Sequence, residues 1–359
     1  MKLCERCVFL ITFVILTFFH APIDAFASDR DTNVPPDFHL ISSASGVDLY
    51  RKDYPGGYPD FVQVIYLKQG ARLMLLHGNI SDPGVGKGAY GGNDPAIAAK
   101  SLKKFWKDAT TTYPNTFCVS NGQFFKMGET PTRLPFALKI DGKMVSDGYA
   151  KKEHQGYRLM LELWGDRADI VPLSKKALFS SSAPDIVAGL TEDARKSPHK
   201  YVARTFVGID DRDWDGQYET VLIFNTKSAR QKDAARVLRD FGADKVMMLD
   251  GGGSTQLLCQ GKVYVNSERR IPQVIATIAG GDVAVENSGA FAAFVEELVA
   301  IDNGNTEEPS SSESSEDDVR VTEASLIDLG DAKWILFVVL PIALILFLSI
   351  TKSQPREYY

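Results

Sequence analysis

The chain has 359 residues, with 40 Lys plus Arg against 46 Asp plus Glu, a formal net charge of −6 and 44% hydrophobic residues. That balance fits a globular protein of one large or two small domains. It excludes a basic stripe of the kind nucleic-acid binding needs, so no nucleic acid is expected as a partner. Of five His and four Cys, the only CxxC is Cys4-Glu-Arg-Cys7 in the N-terminal leader; elsewhere there is no CxxC or HxxxH spacing and no zinc signature.

In chain order, Lys2 and Arg6 precede an apolar run, Val8 to Phe19, and the small-x-small pattern Ala25-Phe26-Ala27. This is the layout of a secretory signal peptide, expected over residues 1–27. Residues 28–302 read as one folded domain without an internal linker. Asp60–Leu67 and Ala71–His77 are strand-like runs around Lys68-Gln69-Gly70 and predict a hairpin. Pro95–Lys107 predicts a helix, with Ile97, Ala98, Leu102, Phe105 and Trp106 on its apolar side. Thr116–Ser120 predicts a short buried strand, and Pro135–Ile140 and Lys143–Val145 a hairpin about Asp141-Gly142. Further strands are expected at Tyr157–Trp164, near Ile170, and at Tyr201–Ile209 and Tyr218–Phe224 on either side of an acidic loop. Ser228–Gly242 predicts a helix with a glycine stop, its apolar face formed by Ala234, Ala235, Val237, Leu238 and Phe241. Val246–Leu249 is an apolar strand. Gln256–Cys259 and Lys262–Val265 form a hairpin about Gln260-Gly261, Val274–Ile278 is a late strand and Phe291–Ala300 a last helix. Strands dominate and the helices do not alternate with them. The expected class is α+β, a single domain on a mixed, largely antiparallel sheet with a few flanking helices.

Residues 303–331 are acidic and Ser-rich and cannot bury enough apolar surface to fold, so they are expected to form a disordered stalk. Trp334 to Ile350 is continuously apolar, at the short end of the span of roughly 17–25 residues a membrane helix needs. It predicts one transmembrane helix within 332–351. Lys352 and Arg356 follow it, which puts the tail 352–359 in the cytoplasm and the domain outside. Of the cysteines, Cys4 and Cys7 fall in the signal peptide. Export permits a Cys118–Cys259 disulfide, and two separately buried thiols are equally open. Asn79-Ile80-Ser81 is a glycosylation sequon.

Three segments carry chemistry. In Leu249-Asp250-Gly251-Gly252-Gly253-Ser254-Thr255 a carboxylate ends an apolar strand, and three glycines let the backbone approach an anion closely. Asp250 is placed to act as a base, to orient a sugar hydroxyl or to fix the loop. In Val119-Ser120-Asn121-Gly122-Gln123-Phe124-Phe125, a strand ends on an amide that both donates and accepts. In Ala203-Arg204-Thr205 through Asp210, Arg204 interrupts an apolar run and calls for a carboxylate or phosphate partner. Arg270 is a second candidate anion clamp. Asp211, Asp213 and Asp215 imitate the start of a calcium loop, but the twelfth position is Leu222 and strands flank it. A solvated hairpin loop is the preferred reading there, with calcium left open and no cofactor required.

Asn-Gly-x-Phe-Phe, Arg-Thr-x-x-Gly-Ile, Leu-Asp-Gly-Gly-Gly-Ser and Arg-x-Pro, in that order, resemble the phosphodiester glycosidase family over about Phe61 to Ala284. The resemblance implies cleavage of a phosphate-linked carbohydrate between the anomeric carbon and the phosphate oxygen. Within it, Asp250 is the first candidate catalytic carboxylate, Asp210 the second, and Arg204 a stabiliser of charge on the departing phosphate. Asn121, Gly122, Thr205, Gly251, Gly252, Gly253, Ser254 and Arg270 are the expected substrate and phosphate contacts. Gln123 stands where the family usually has a second glycine, and is expected to narrow or re-aim the pocket. The alternative is a non-catalytic surface binder of phosphate-containing glycans.

Overall fold

The computed structural model describes residues 33–281. The expected signal peptide, the Phe291–Ala300 helix, the stalk, the apolar run 334–350 and the tail lie outside the described residues. Among the described residues no helix is long and apolar enough to cross a membrane.

The strands are β1 His39–Ala44, β2 Val47–Lys52, β3 Asp60–Tyr66, β4 Arg72–His77, β5 Ile80–Asp82, β6 Ala96–Ile97, β7 Thr116–Asn121, β8 Leu138–Ile140 and β9 Lys143–Ser146. They continue as β10 Arg158–Leu163, β11 Ala168–Pro172, β12 Asp185–Leu190, β13 Val202–Asp210, β14 Thr220–Ala229, β15 Lys245–Met248, β16 Leu257–Cys259, β17 Lys262–Val265 and β18 Gln273–Ile278. Three helices accompany them: α1 Leu102–Thr112, α2 Lys175–Ser180 and α3 Gln231–Asp240. An 11-stranded sheet runs β1-β2-β3-β14-β13-β15-β12-β10-β11, with β8 on β12 and β9 on β8. A 5-stranded sheet runs β17-β16-β7-β18-β4, and β5 pairs with β6 alone. The expected mixed sheet is instead antiparallel at every strand pairing among the described residues.

The central strands are apolar on both faces because both faces are covered. Along β13 and β14, Val207, Ile209, Val221 and Ile223 point into one cluster. There they meet Leu75, Phe117, Leu257 and Ile275 of the small sheet. Alternate residues, Phe206, Leu222 and Phe224, point the other way, onto Ala234, Ala235, Leu238 and Phe241 of α3 and its C-terminal cap. The far face of the small sheet, with Val119, Leu258, Val274 and Ala276, takes Leu102, Phe105, Trp106 and Ala109 of α1. The order is therefore helix, large sheet, small sheet, helix, and period-2 alternation assigns each side chain to a layer. Fully burying one such Leu or Phe stabilises the fold by about 1.5–3 kcal/mol.

Three expectations need correction. β3 and β4 are not a hairpin: β3 has β2 and β14 on its two edges, so β4 has no edge to join. A 3-10 turn over Leu67–Gln69, closed by Gly70 at φ +86°, carries the chain across to the small sheet. The helix expected from Pro95 begins at Leu102, because Ala96–Ile97 pair as β6 and the Ser101 hydroxyl caps the helix on the Lys104 amide at 3.3 Å. The helix expected from Ser228 begins at Gln231, because β14 continues to Ala229. Cys118 and Cys259 face each other in the β7–β16 register and form a disulfide.

Candidate active site

The Asp250 loop lies where one end of each sheet meets the other. β15 of the large sheet runs into it, and β7 of the small sheet ends beside it at Asn121. Two hydrogen bonds join the two ends. The Asn121 Nδ2 donates to the Asp250 carbonyl at 2.7 Å, and the Asp250 amide donates to the Gly122 carbonyl at 3.1 Å. The Asn121 Oδ1 accepts from the Thr205 hydroxyl at 2.8 Å and the Gln256 amide at 3.1 Å, and Asn225 donates to the Thr205 oxygen at 3.2 Å. Asn121 and Thr205 are thus a buried brace for the loop rather than open ligand contacts.

The Asp250 carboxyl accepts the Gly251 amide at 2.9 Å. Burial pushes its pKa up to about 6, against the lowering effects of the Ser254 hydroxyl, the Gly251 amide and the charges of Arg269 and Lys196. The glycines have distinct duties. Gly252 adopts φ +60°, the left-handed region. A Cβ on Gly253 would lie 2.7 Å from the Arg269 guanidinium carbon, so Arg269 packs directly on the loop. The Arg269 Nη1 also donates to the Ser254 hydroxyl at 3.2 Å. A Cβ on Gly122 would fall 1.6 Å from the Gln273 Oε1, which accepts the Gln123 amide at 2.9 Å.

Arg204 has no carboxylate partner among the described residues. It is 3% exposed. Its guanidinium donates to the carbonyls of Ser197 at 2.7 Å, Lys196 at 2.9 Å, Ala229 at 3.2 Å and Lys200 at 3.3 Å. Desolvation lowers its pKa. Arg204 therefore pins the 196–200 segment, which carries Lys196, whose ammonium stands over the Phe124 ring at 5.1 Å.

Asp210 is not in the site. It ends β13, five residues and roughly 16 Å of extended strand beyond Thr205, and its Oδ2 accepts from the Arg212 Nε at 2.7 Å. Arg270 is exposed. Its neighbour Arg269, Lys196 and His154 were not singled out from the sequence. The His154 pKa is lowered by desolvation first and then by Lys196. Gln123 does not enter a pocket: it is buried, and its Nε2 donates to the Ala137 carbonyl at 3.2 Å. Asp211, Asp213 and Asp215 lie in the β13–β14 loop and converge there with Glu219. Two surface depressions, of about 580 and about 320 Å³, are lined by residues that include Lys126 and Arg133 in the first and Lys151 and Arg158 in the second; Asp250 lines neither.

The Asp250 loop thus brings together a carboxyl pushed up by burial, a guanidinium packed on its glycines and the charge of Lys196, which makes it the candidate site. Residues 95–278 match the family model described as phosphodiester glycosidase, and the chain belongs to that family of glycosidases acting on phosphodiesters. No curated protein matches the chain. Among solved structures it is similar to a zebrafish N-acetylglucosamine-1-phosphodiester alpha-N-acetylglucosaminidase catalytic domain auto-inhibited by its pro-peptide. Identity is 15%, the TM-score 0.43, and coverage 68% of this chain and 82% of that one. It is also similar to a hypothetical protein from Synechocystis, at 12% identity and TM-score 0.40 over 68% of this chain. The match spans 64% of the Synechocystis chain, less than two thirds of its length.

Proposed function

We propose that the chain hydrolyses a sugar-1-phosphodiester, breaking the bond between the anomeric carbon and the phosphate oxygen. The observation that carries this reading is the Asp250 carboxyl at the head of its glycine loop, with Arg269 packed on Gly253 and bonded to Ser254; burial pushes the Asp250 pKa up to about 6. A phosphate leaves far more readily than an alcohol, so the main task is to stabilise charge on the departing oxygens. Arg269, packed on Gly253, and Lys196, whose charge acts on Asp250, serve that end. Asp250 accepts a proton from water as the water oxygen attacks the anomeric carbon. The carbon–oxygen bond breaks with its electron pair going to the phosphate, giving a reducing sugar and a phosphomonoester. Arg204, Asn121, Gly122, Thr205 and Ser254 act by holding the loop and the 196–200 segment, and Arg270 borders the site. The patterns at residues 1–27 and 334–350 support an exported enzyme tethered to a membrane, for which a phosphate-linked surface carbohydrate is the accessible substrate.

The test uses the full chain in mild detergent with a panel of sugar-α-1-phosphodiesters, beginning with an N-acetylglucosamine compound, in oxygen-18 water. Release of reducing sugar carrying the label, lost in Asp250→Asn, is the expected result. Label in the phosphate would reject carbon–oxygen cleavage. No release, with phosphoglycan binding retained, would make the protein a non-catalytic binder.

A further inference from the structure

The β13–β14 loop lies at the Asp210 end of β13, away from the Asp250 loop, and the proposed reaction makes no use of it. Asp211, Asp213, Asp215 and Glu219 each bring one carboxylate oxygen within 4.8 Å of the others. Two oxygens on one calcium ion, each at roughly 2.4 Å, lie no more than about twice that distance apart, and the four carboxylates meet that condition. The aspartates are at least partly exposed, and water can screen them. Glu219 is different: it is 7% exposed, and its Oε2 is buried with no hydrogen-bond partner among the described residues. Its other oxygen accepts the Arg212 amide at 3.0 Å. A buried carboxylate oxygen without a donor is costly. A cation at the convergence point supplies what that oxygen lacks.

We infer that this loop binds a hard divalent cation of the calcium class. Residues 211, 213, 215 and 219 occupy the first, third, fifth and ninth positions of a calcium loop, with glycine at the sixth, Gly216, at φ +85°. The twelfth position is Leu222, and the buried carboxylate comes instead from Glu219, immediately before β14. Lys68 is the competing cation. Its ammonium lies 2.6 Å from the Asp213 Oδ2 and 2.9 Å from the Asp215 Oδ2, at the exposed side of the cluster. A metal ion there displaces Lys68 toward solvent. Oxygen-only ligands favour calcium over magnesium, which demands a tighter octahedron and keeps several waters.

The full chain, stripped with a chelator, is titrated with terbium and then with calcium. Trp214 lies within the loop, and its indole serves as the sensitiser. The expected result is terbium emission that calcium quenches, with calcium affinity on the order of 0.1–1 mM. Calorimetry should give the same constant and at least tenfold weaker magnesium. Glu219→Gln and Asp213→Asn should each weaken calcium at least tenfold, and Lys68→Ala should strengthen it several-fold. Asp213 is exposed, so its variant reports even if Glu219→Gln fails to fold. Absence of calcium heat up to ~10 mM, a range beyond known extracellular sites, would overturn the proposal. So would an affinity that neither carboxylate variant changes.

Discussion

Asn121 and Asp250 come from different sheets, 129 residues apart, and the amide of the first donates to the main-chain carbonyl of the second at 2.7 Å. The same Asn121 accepts from Thr205 and Gln256 with its Oδ1. Asn121→Ala takes that partner from the Asp250 carbonyl and the Gln256 amide and leaves the Thr205 hydroxyl with Asn225 alone. Each orphan costs about 1–3 kcal/mol before relaxation, and a net loss of about 2–4 kcal/mol is expected. Urea unfolding of the two proteins measures it. An unchanged midpoint would mean that the joint between the sheets lies elsewhere.

Asp250 should make the fold less stable at neutral pH than in acid. Its folded pKa, about 6, lies above the ordinary 3.8. A group raised in this way binds its proton more tightly when folded. Its stabilising contribution is complete below about pH 4 and lost as pH rises through 6. Asp250→Asn removes the charged form, so the variant should be more stable than the parent at pH 7.5 by on the order of 2 kcal/mol. The advantage should vanish near pH 4. Equal melting curves at pH 7.5 would show that the carboxyl is not desolvated.

Activity should follow the same ionisation in the opposite sense. If Asp250 is the base, kcat/KM falls tenfold per unit below pH 6 and is level above it, up to the next ionisation. A profile flat from pH 4.5 to 7 would remove Asp250 from proton transfer.

The turns were legible because their chemistry is local. Asp141-Gly142 and Gln260-Gly261 sit at φ 49°, 76°, 48° and 76°, angles that a two-residue hairpin requires and that those residues tolerate. Sheet membership was not legible, since period-2 alternation in Phe61–Tyr66 and Leu73–His77 is silent on which neighbour each strand takes. β14 outran its expected end because Asn225 and Thr226, polar enough to suggest a loop, are fully buried. In the candidate site, the Asp250 loop is marked in the sequence by its glycines. Arg204 misled: an arginine in an apolar run does demand acceptors, but main-chain carbonyls of residues 196–200 satisfy it, and no motif advertises them. Asp210 shares a short motif with Thr205, yet five residues of extended strand separate them.

The Cys118–Cys259 bridge closes a sequence separation of 141 residues between two paired strands of the small sheet. Restricting so long a loop in the unfolded chain is worth roughly 4–5 kcal/mol by chain entropy, with 2–5 kcal/mol usual in practice. The Cys118→Ala, Cys259→Ala double variant should lose stability in that range, read as a lower denaturant midpoint. Reductant should lower the parent's midpoint toward the variant's and leave the variant's unchanged. A parent insensitive to reductant under unfolding conditions would mean the two thiols are not bridged.

Arg269 and Arg270 provide the sharpest test of where the phosphate sits. Arg269 is partly buried and Arg270 is exposed. Sequence could not choose between them. Arg269 is the one against Gly253 and the Ser254 hydroxyl, and its charge reaches Asp250. Removing a cation that stabilises a departing phosphate costs about 10²–10³ in kcat by analogy with loss of one oxyanion donor. Arg269→Gln should therefore lower kcat at least 10²-fold with KM little changed, while Arg270→Gln stays within about threefold. Because Arg269 also interacts electrostatically with Asp250, its loss should raise the acid limb of the pH profile above 6. A kcat loss without that shift would assign Arg269 to the phosphate alone, and a large loss in Arg270→Gln instead would move the phosphate subsite to the outer side of the segment.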